Sequence, residues 1–234
     1  MTCTTISFMN RKGGVGKSTC VRMFASVADE RGMPVTLIDT DESVAVAEWH
    51  TAGMENDRWS ESVTSLKTMD QMELLDHVIA LKEAPGEHIC LIDTQGSSSE
   101  IMGMIFEVSD FIVVPTRLSR SDTSEVGKIM RYVDLYRAQS AKVASPRILI
   151  NAPKSAGESH RAEMSALFDS YGEAILDEML AERTALNEMD QRGLLNVMRD
   201  KGPAVKRKYY EDVMTLARGI FDEVTEGKFA KENA

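Results

Sequence analysis

The sequence predicts a doubly wound α/β fold, in which a mostly parallel sheet is covered by helices on both faces. Short apolar segments alternate with helical segments along the chain, and the apolar segments are near-continuous rather than polar at every second residue. Such strands are typical of a sheet buried on both faces. With 43% hydrophobic residues in 234, the chain can build a sizeable core. Since no repeat or linker divides it, we predict a single domain over residues 1–234.

The elements follow from apolar runs and from the residues that stop helices. The predicted strands are Thr5–Met9, Pro34–Asp39, Val63–Leu66, Ile89–Asp93, Phe111–Pro115, Arg147–Asn151 and Ala174–Leu176. The predicted helices are Thr19–Arg31, Val44–Thr51, Asp70–Glu83, Ser98–Val108, Ser121–Ala138, His160–Tyr171 and Ala204–Glu226. The first helix ends at Gly32 and the third before Pro85, because these residue types do not continue a helix.

The loop between the first strand and the first helix has the composition of a phosphate-binding loop. Its glycines let successive N–H groups converge on phosphate oxygens, the Lys17 ammonium can reach the β- and γ-phosphates, and the Ser18 hydroxyl can bind Mg²⁺. Arg11 stands where the general pattern has glycine. The predicted nucleotide-binding residues of this loop are Lys12, Gly13, Gly14, Val15, Gly16, Lys17, Ser18 and Thr19.

A second lysine, Lys12, lies in the same loop. Two cations this close repel each other unless a dense anion lies near both. With Lys17 pointing into its own loop, Lys12 is left to reach phosphates elsewhere, including those held by a second subunit. The alternative is a solvated lysine at the edge of the loop.

Carboxylates follow two other predicted strands. Asp39 and Asp41 lie at the end of the second strand, and Asp93 ends the fourth, with Gly96 three residues later. Ligands of open parallel sheets bind beyond the carboxyl ends of the strands, so these residues and the loop converge on one pocket. Asp93 suits a Mg²⁺ ligand, the Gly96 amide can sense a γ-phosphate, and Asn151 lies near the expected adenine edge. The alternatives are a helix N-cap for Asp41 and a strand-end cap for Asp93.

The run from Lys12 to Thr19 resembles the deviant Walker A motif of the ParA/MinD superfamily, whose members are P-loop ATPases. Residues 39–41 and 93–96 fall where that superfamily has its switch and Walker B motifs. Within it, the chain is similar to small, ParF-like partition ATPases and to accessory ATPases of conjugal and T-DNA transfer. The resemblance implies that Lys12 reaches across a dimer interface, that Asp39 belongs to the Mg²⁺ shell with Ser18 and Asp93, and that Asp41 orients the attacking water.

The resemblance also implies a function. ATP and Mg²⁺ are the expected cofactors, ATP binding produces a homodimer, and hydrolysis is weak, with Lys12, Lys17 and Asp41 as catalytic residues. The dimer is expected to bind DNA non-specifically, while a centromere-binding or adaptor protein stimulates hydrolysis during plasmid or chromosome partition. One alternative is an accessory ATPase that recruits the relaxosome. Another is a MinD-like membrane-cycling regulator, which the short polar segment 227–234 disfavours.

The net charge of −10 argues against a surface that binds nucleic acid everywhere, so DNA contact requires a local basic patch. The first candidate patch comprises Lys201, Lys206, Arg207, Lys208 and Arg218. A second group comprises Arg117, Arg120, Lys128 and Arg131. The alternative for each is an ordinary helix face whose cations are balanced by neighbouring carboxylates.

The three cysteines are scattered and form no CxxC pair, which is typical of a protein in a reducing compartment. The first ten residues lack a basic leader, and no run approaches the length that spans a bilayer. These features predict a cytoplasmic protein without a membrane partner. DNA binding would make it nucleoid-associated.

Overall fold

A computed structural model describes residues 3–41, 45–95, 99–140, 142–152, 157–181 and 183–229. Seven parallel strands form one sheet in the order β3-β2-β4-β1-β5-β6-β7. Their bounds are β1 Cys3–Phe8, β2 Val35–Asp39, β3 Val63–Lys67, β4 His88–Asp93, β5 Phe111–Arg117, β6 Pro146–Ala152 and β7 Leu180–Ala181. The predicted doubly wound α/β fold is therefore confirmed, and every strand pair is parallel.

Helices cover both faces of the sheet. They are α1 Lys17–Glu30, α2 Ala45–Glu55, α3 Gln71–Glu83, α4 Ser99–Val108, α5 Arg120–Arg137, α6 Glu158–Tyr171, α7 Thr184–Arg192, α8 Leu195–Lys201 and α9 Ala204–Val224. One core layer lies between the sheet and α1, α2, α7, α8 and α9. The other lies between the sheet and α3, α4, α5 and α6. Val44 and Ser98, where two helices were predicted to begin, lie outside the described residues.

The structure corrects the sequence prediction after α6. The strand predicted at Ala174–Leu176 is wrong, because Gly172–Ala174 form a 3₁₀ turn and Ile175 makes only an isolated bridge to Ile148. The seventh strand, β7, lies further along the chain and is two residues long. The helices α7 and α8 were not predicted, since each is too short for a clear helical repeat of apolar residues.

A buried arginine joins three helices in the first layer. The Arg22 guanidinium of α1 forms an ion pair with Asp190 of α7, donates to the Ala45 carbonyl at the start of α2 (3.2 Å), and lies 5.7 Å from the centre of the Trp49 ring. Trp49 in turn donates from its indole nitrogen to the Met189 carbonyl of α7 at 2.9 Å. The start of α2 is therefore joined to α7 directly by Trp49, and to α1 by Arg22, which also pairs with α7.

Candidate functional site

The loop of residues 10–16 leaves the central strand β1 and enters α1. Since β1 lies between β4 and β5, the ends of those strands flank the loop. Asp39 and Asp93 are register partners at the last positions of β2 and β4, and Phe8 of β1 pairs with Asp93. The structure thus brings the loop and both strand-end carboxylates together, as the sequence predicted.

Two glycines of the loop have backbone angles that other residues rarely adopt. Gly14 has φ +71° and Gly16, directly before α1, has φ +109°. The side chain of Asn10 holds the loop to the neighbouring strand: its Oδ1 accepts from the Lys12 N–H, and its Nδ2 donates to the Pro115 carbonyl of β5, both at 2.9 Å. The loop is therefore preformed, with its glycine amides available to a phosphate group.

The Lys17 ammonium lies over this loop and donates to the Lys12 carbonyl at 3.2 Å. Burial lowers the pKa of Lys17, while the carboxylates of Asp93 and Asp41 raise it. An ammonium that has lost much of its water and donates to a loop carbonyl at 3.2 Å can exchange that contact for a phosphate oxygen. This is the position that the loop lysine needs to reach the β- and γ-phosphates.

The two strand-end carboxylates are buried close together. The pKa of Asp93 is raised to about 6, chiefly by burial and also by the Asp39 charge, while a hydrogen bond with Ser18 and the charge of Lys17 oppose the rise. Burial likewise raises the pKa of Asp39, although the backbone N–H groups of Asp41 and Val46 donate to it at 2.9 and 3.4 Å. Two buried carboxylates that oppose each other's ionisation fit a site for a divalent cation.

Magnesium is commonly held by one or two carboxylates, a hydroxyl, water and substrate phosphates rather than by a full protein cage. Ser18, Asp39 and Asp93 are such a set. In the part of the chain that the structure describes, no three His, Cys, Asp or Glu side chains are grouped so that they could hold a metal ion.

We expect Asp93→Asn to stabilise the nucleotide-free protein at pH 8. The amide has nearly the size and shape of the carboxylate, and the substitution removes a buried negative charge. The gain is on the order of 3 kcal/mol. With its pKa raised to about 6, Asp93 binds more protons in the folded state than in the unfolded state between about pH 4 and 6. The folded protein therefore loses this stability as pH rises through that window, and the advantage of the variant disappears near pH 4. Thermal unfolding in EDTA at both pH values measures it.

Asp76→Asn is the matched control, since Asp76 is an exposed carboxylate on α3 and its replacement should leave the unfolding temperature unchanged. A lower unfolding temperature for Asp93→Asn at pH 8 would show that the Asp93 carboxylate stabilises the protein without a cation.

The remaining predicted site residues have different positions. Lys12 is half-buried in the loop, and half-buried Asp41 follows β2 at the same edge. Asn151, at the end of β6, donates to the Val15 carbonyl at 3.3 Å, and its Nδ2 lies 3.1 Å from where a Cβ on Gly16 would be. Asn151 thus supports the outer wall of the loop, and a contact with adenine stays a prediction. Gly96 lies outside the described residues.

With this geometry established, similarity to known proteins decides the family. Residues 2–215 match the VirC1 protein family. The chain belongs to the VirC1 family. Protein virC1 of Rhizobium radiobacter is 26% identical over 193 residues, which cover 82% of this chain and 82% of that protein. Protein ParA of Rhizobium radiobacter is 23% identical over 217 residues, which cover 92% of this chain and 95% of that protein.

Two solved structures have the fold of this VirC1-family chain. The ATP complex of McdA from Cyanothece has a TM-score of 0.65 at 14% identity and covers 99% of this chain and 98% of its own. MinD cell division protein from Aquifex aeolicus has a TM-score of 0.64 at 17% identity and covers 94% of this chain and 98% of its own. The predicted ParA/MinD superfamily and P-loop ATPase fold are confirmed.

Most cations of the first candidate DNA patch are paired within the VirC1-family chain. Lys201 binds Asp57 at 2.9 Å, and Lys206 binds both carboxylate oxygens of Glu188 at 2.8 and 2.9 Å. Arg218 binds Glu30 and Glu211 at 2.7 and 2.8 Å. Arg207 and Lys208 are exposed on the first turns of α9. The patch available to a phosphate backbone is therefore reduced to these last two side chains.

Three cations of the second basic group also have contacts within the chain. Lys128 is paired with Glu125, Arg131 donates to the Gly127 carbonyl of its own helix at 3.1 Å, and Arg117 lies beside the phosphate loop. Neither Arg117 nor Asn10 was assigned to the nucleotide site from the sequence. The signal for Asn10 was its place between the first strand and the lysine–glycine run; Arg117 had no local signal.

In the described residues, no helix is long and apolar enough to cross a membrane.

Proposed function

We propose that this protein is a Mg²⁺-dependent ATP hydrolase of the ParA type that acts on DNA as an ATP-dependent homodimer, with residues 1–234 as one ATPase domain. The observation that carries the proposal is the convergence of Lys17, Asp39 and Asp93 at the ends of three neighbouring strands. Similarity to protein ParA, and a shared fold with the McdA–ATP complex, support a nucleotide of this class.

The donor set fits magnesium triphosphate. Bound between Ser18, Asp39 and Asp93, Mg²⁺ would neutralise phosphate charge and allow both carboxylates to stay ionised. The loop amides and Lys17 would hold the β- and γ-phosphates, while Asp41 would orient the attacking water. Catalysis of this kind is mostly positioning and charge stabilisation.

The proposed dimer rests on Lys12. A half-buried lysine whose own loop already contains the Lys17 ammonium is best used on a phosphate bound by the partner copy. Two facing copies would then exchange one cation each, so that the dimer forms only around the triphosphate. Hydrolysis would release the dimer and, with it, the DNA.

Membership of the VirC1 family favours the role of an accessory ATPase in DNA transfer over the role in partition. In the accessory role, the DNA-bound dimer recruits a relaxosome to the machinery of conjugal or T-DNA transfer. In the partition role, suggested by the likeness to protein ParA, a centromere-binding protein stimulates hydrolysis to position a plasmid. Binding assays in MgATP with a purified relaxase complex or a centromere-binding protein separate the two roles, and we expect the relaxase complex to bind. Both roles place the protein on the nucleoid in the cytoplasm.

We expect DNA binding to require MgATP and to depend on Arg207 and Lys208, since dimerisation would bring two copies of this small patch together. Arg207→Ala/Lys208→Ala should weaken binding to any duplex. It should also lower the slope of log affinity against log salt by about 2 per protomer. Salt titrations of fluorescent duplex DNA with MgATP, with MgADP and without nucleotide measure both effects.

The matched control is Lys142→Ala/Arg161→Ala, which removes two exposed cations from other surfaces with the same change in net charge. Vesicles of anionic lipid form a second arm, in which we expect no ATP-dependent binding. Equal DNA affinity of the patch variant and its control would remove α9 as the contact, and binding to vesicles instead of DNA would favour the MinD-like alternative.

A further inference from the structure

Arg117 lies at the last position of β5, directly beside the phosphate loop. Two hydrogen bonds hold the start of the loop to this strand. The Met9 N–H donates to the Val113 carbonyl, and Asn10 Nδ2 donates to the Pro115 carbonyl, both at 2.9 Å. Next along the strand, the Nη1 atom of Arg117 lies 3.8 Å from where a Cβ on Gly14 would be. A guanidinium therefore lies against the open side of the loop.

The Arg117 guanidinium is held in place by a buried carboxylate. Its Nε donates to Asp122 Oδ2 at 3.2 Å, and the Asp122 side chain is only 4% exposed. The Ser119 hydroxyl donates to the same oxygen at 2.8 Å, and Ser119 also caps α5. Because Asp122 occupies Nε, the Nη1 and Nη2 groups of Arg117 keep their N–H donors for a ligand. The side chain is 52% exposed, so solvent and ligand can reach it.

Arg117 lies beside the middle of the loop, at Gly14. The start of α1 offers its first amides to the inner phosphates, as helix N-termini do. The Lys17 ammonium, which serves the β- and γ-phosphates, lies at the carbonyl of Lys12, two residues before Gly14. A guanidinium beside Gly14 therefore lies on the same part of the loop as the lysine that serves the β- and γ-phosphates.

We propose that Arg117 is a further phosphate-binding residue, which recognises the γ-phosphate of a nucleoside triphosphate from within the same subunit. The inference rests on the proposed nucleotide site and deepens it. A guanidinium can form two parallel hydrogen bonds to one phosphate group, whereas an ammonium acts as a single point charge. With Arg117 present, the site distinguishes triphosphate from diphosphate before any partner subunit arrives.

The test compares MgATPγS with MgADP by isothermal titration calorimetry. In Arg117→Gln we expect the affinity for ATPγS to fall about tenfold or more, and the affinity for ADP to fall less than about threefold. Arg117→Lys keeps the positive charge but cannot form the two parallel hydrogen bonds, so its affinity for ATPγS should be intermediate. Arg120→Gln, an exposed arginine three residues further on, is the matched control and should bind both nucleotides as the wild type does.

The outcomes separate this inference from the proposed function. If the wild-type protein binds neither nucleotide, the proposed function fails. If the wild type binds and Arg117→Gln binds ATPγS equally well, or loses ATPγS and ADP to the same extent, the assignment of Arg117 to the γ-phosphate is wrong. Thermal unfolding of each variant confirms that the compared proteins are folded.

Discussion

Lys17→Ala is expected to lower the affinity for MgATP by at least about 100-fold. The substitution removes a charge-assisted contact to the β- and γ-phosphates, and such contacts are worth up to about 3 kcal/mol each. The fold should persist, because the Lys17 ammonium is partly deprived of water and its 3.2 Å contact with a loop carbonyl contributes little to stability. Calorimetric titration with MgATPγS gives the affinity.

Arg11→Ala is the control for Lys17→Ala, since Arg11 is an exposed cation in the same loop. Its removal should change the affinity only slightly, through the long-range charge. Retention of wild-type affinity in Lys17→Ala would mean that the loop of residues 10–16 does not bind the nucleotide, and the proposed ATPase would have no site.

Asp41→Ala is expected to preserve MgATP binding, to slow hydrolysis by about 100-fold or more, and to accumulate a dimer. A positioned group that handles the attacking water contributes about this much to the rate. The dimer accumulates because the step that releases it no longer occurs. Phosphate release measures the rate, and light scattering after gel filtration in saturating MgATP measures the dimer.

Two controls accompany Asp41→Ala. Asp76→Ala removes an exposed carboxylate on α3 and should hydrolyse ATP at the wild-type rate. Lys12→Ala in the Asp41→Ala background removes the cation that is proposed to cross the interface, and the protein should stay monomeric with ATP bound. If Asp41→Ala alone stays monomeric while bound to ATP, the dimer and the ATP dependence of DNA binding are both wrong.

The parts of the fold that could be predicted are those with a local signal. A strand such as β4 is a continuous apolar run that ends in Asp93, and the loop glycines at 14 and 16 are required by their own backbone angles. The strand β7 could not be predicted, because its two residues form a strand only through pairing with Asn151 and Ala152 of β6.

The residues of the candidate site could be predicted from local signals, whereas the contacts of the basic patch could not. The loop, Asp39 and Asp93 lie at strand ends, so a parallel sheet brings them together whatever the packing of the helices. The partners of the basic residues depend on tertiary contacts instead: Arg218 pairs with Glu30, 188 residues earlier in the chain. For the same reason, the position of Arg117 beside Gly14 could not be derived from spacing within the chain.

The contacts of Arg22 and Trp49 have a consequence for movement. The start of α2 follows the segment after Asp41 and is bound through these two side chains to α7, on which α8 and α9 pack. A movement of α2 must either break the hydrogen bonds of Arg22 with Ala45 and of Trp49 with Met189, or carry α7 with it. In the second case α8 and α9, which pack on α7, would move too, and in the proposed DNA-binding ATPase the α9 cations would change position relative to the duplex.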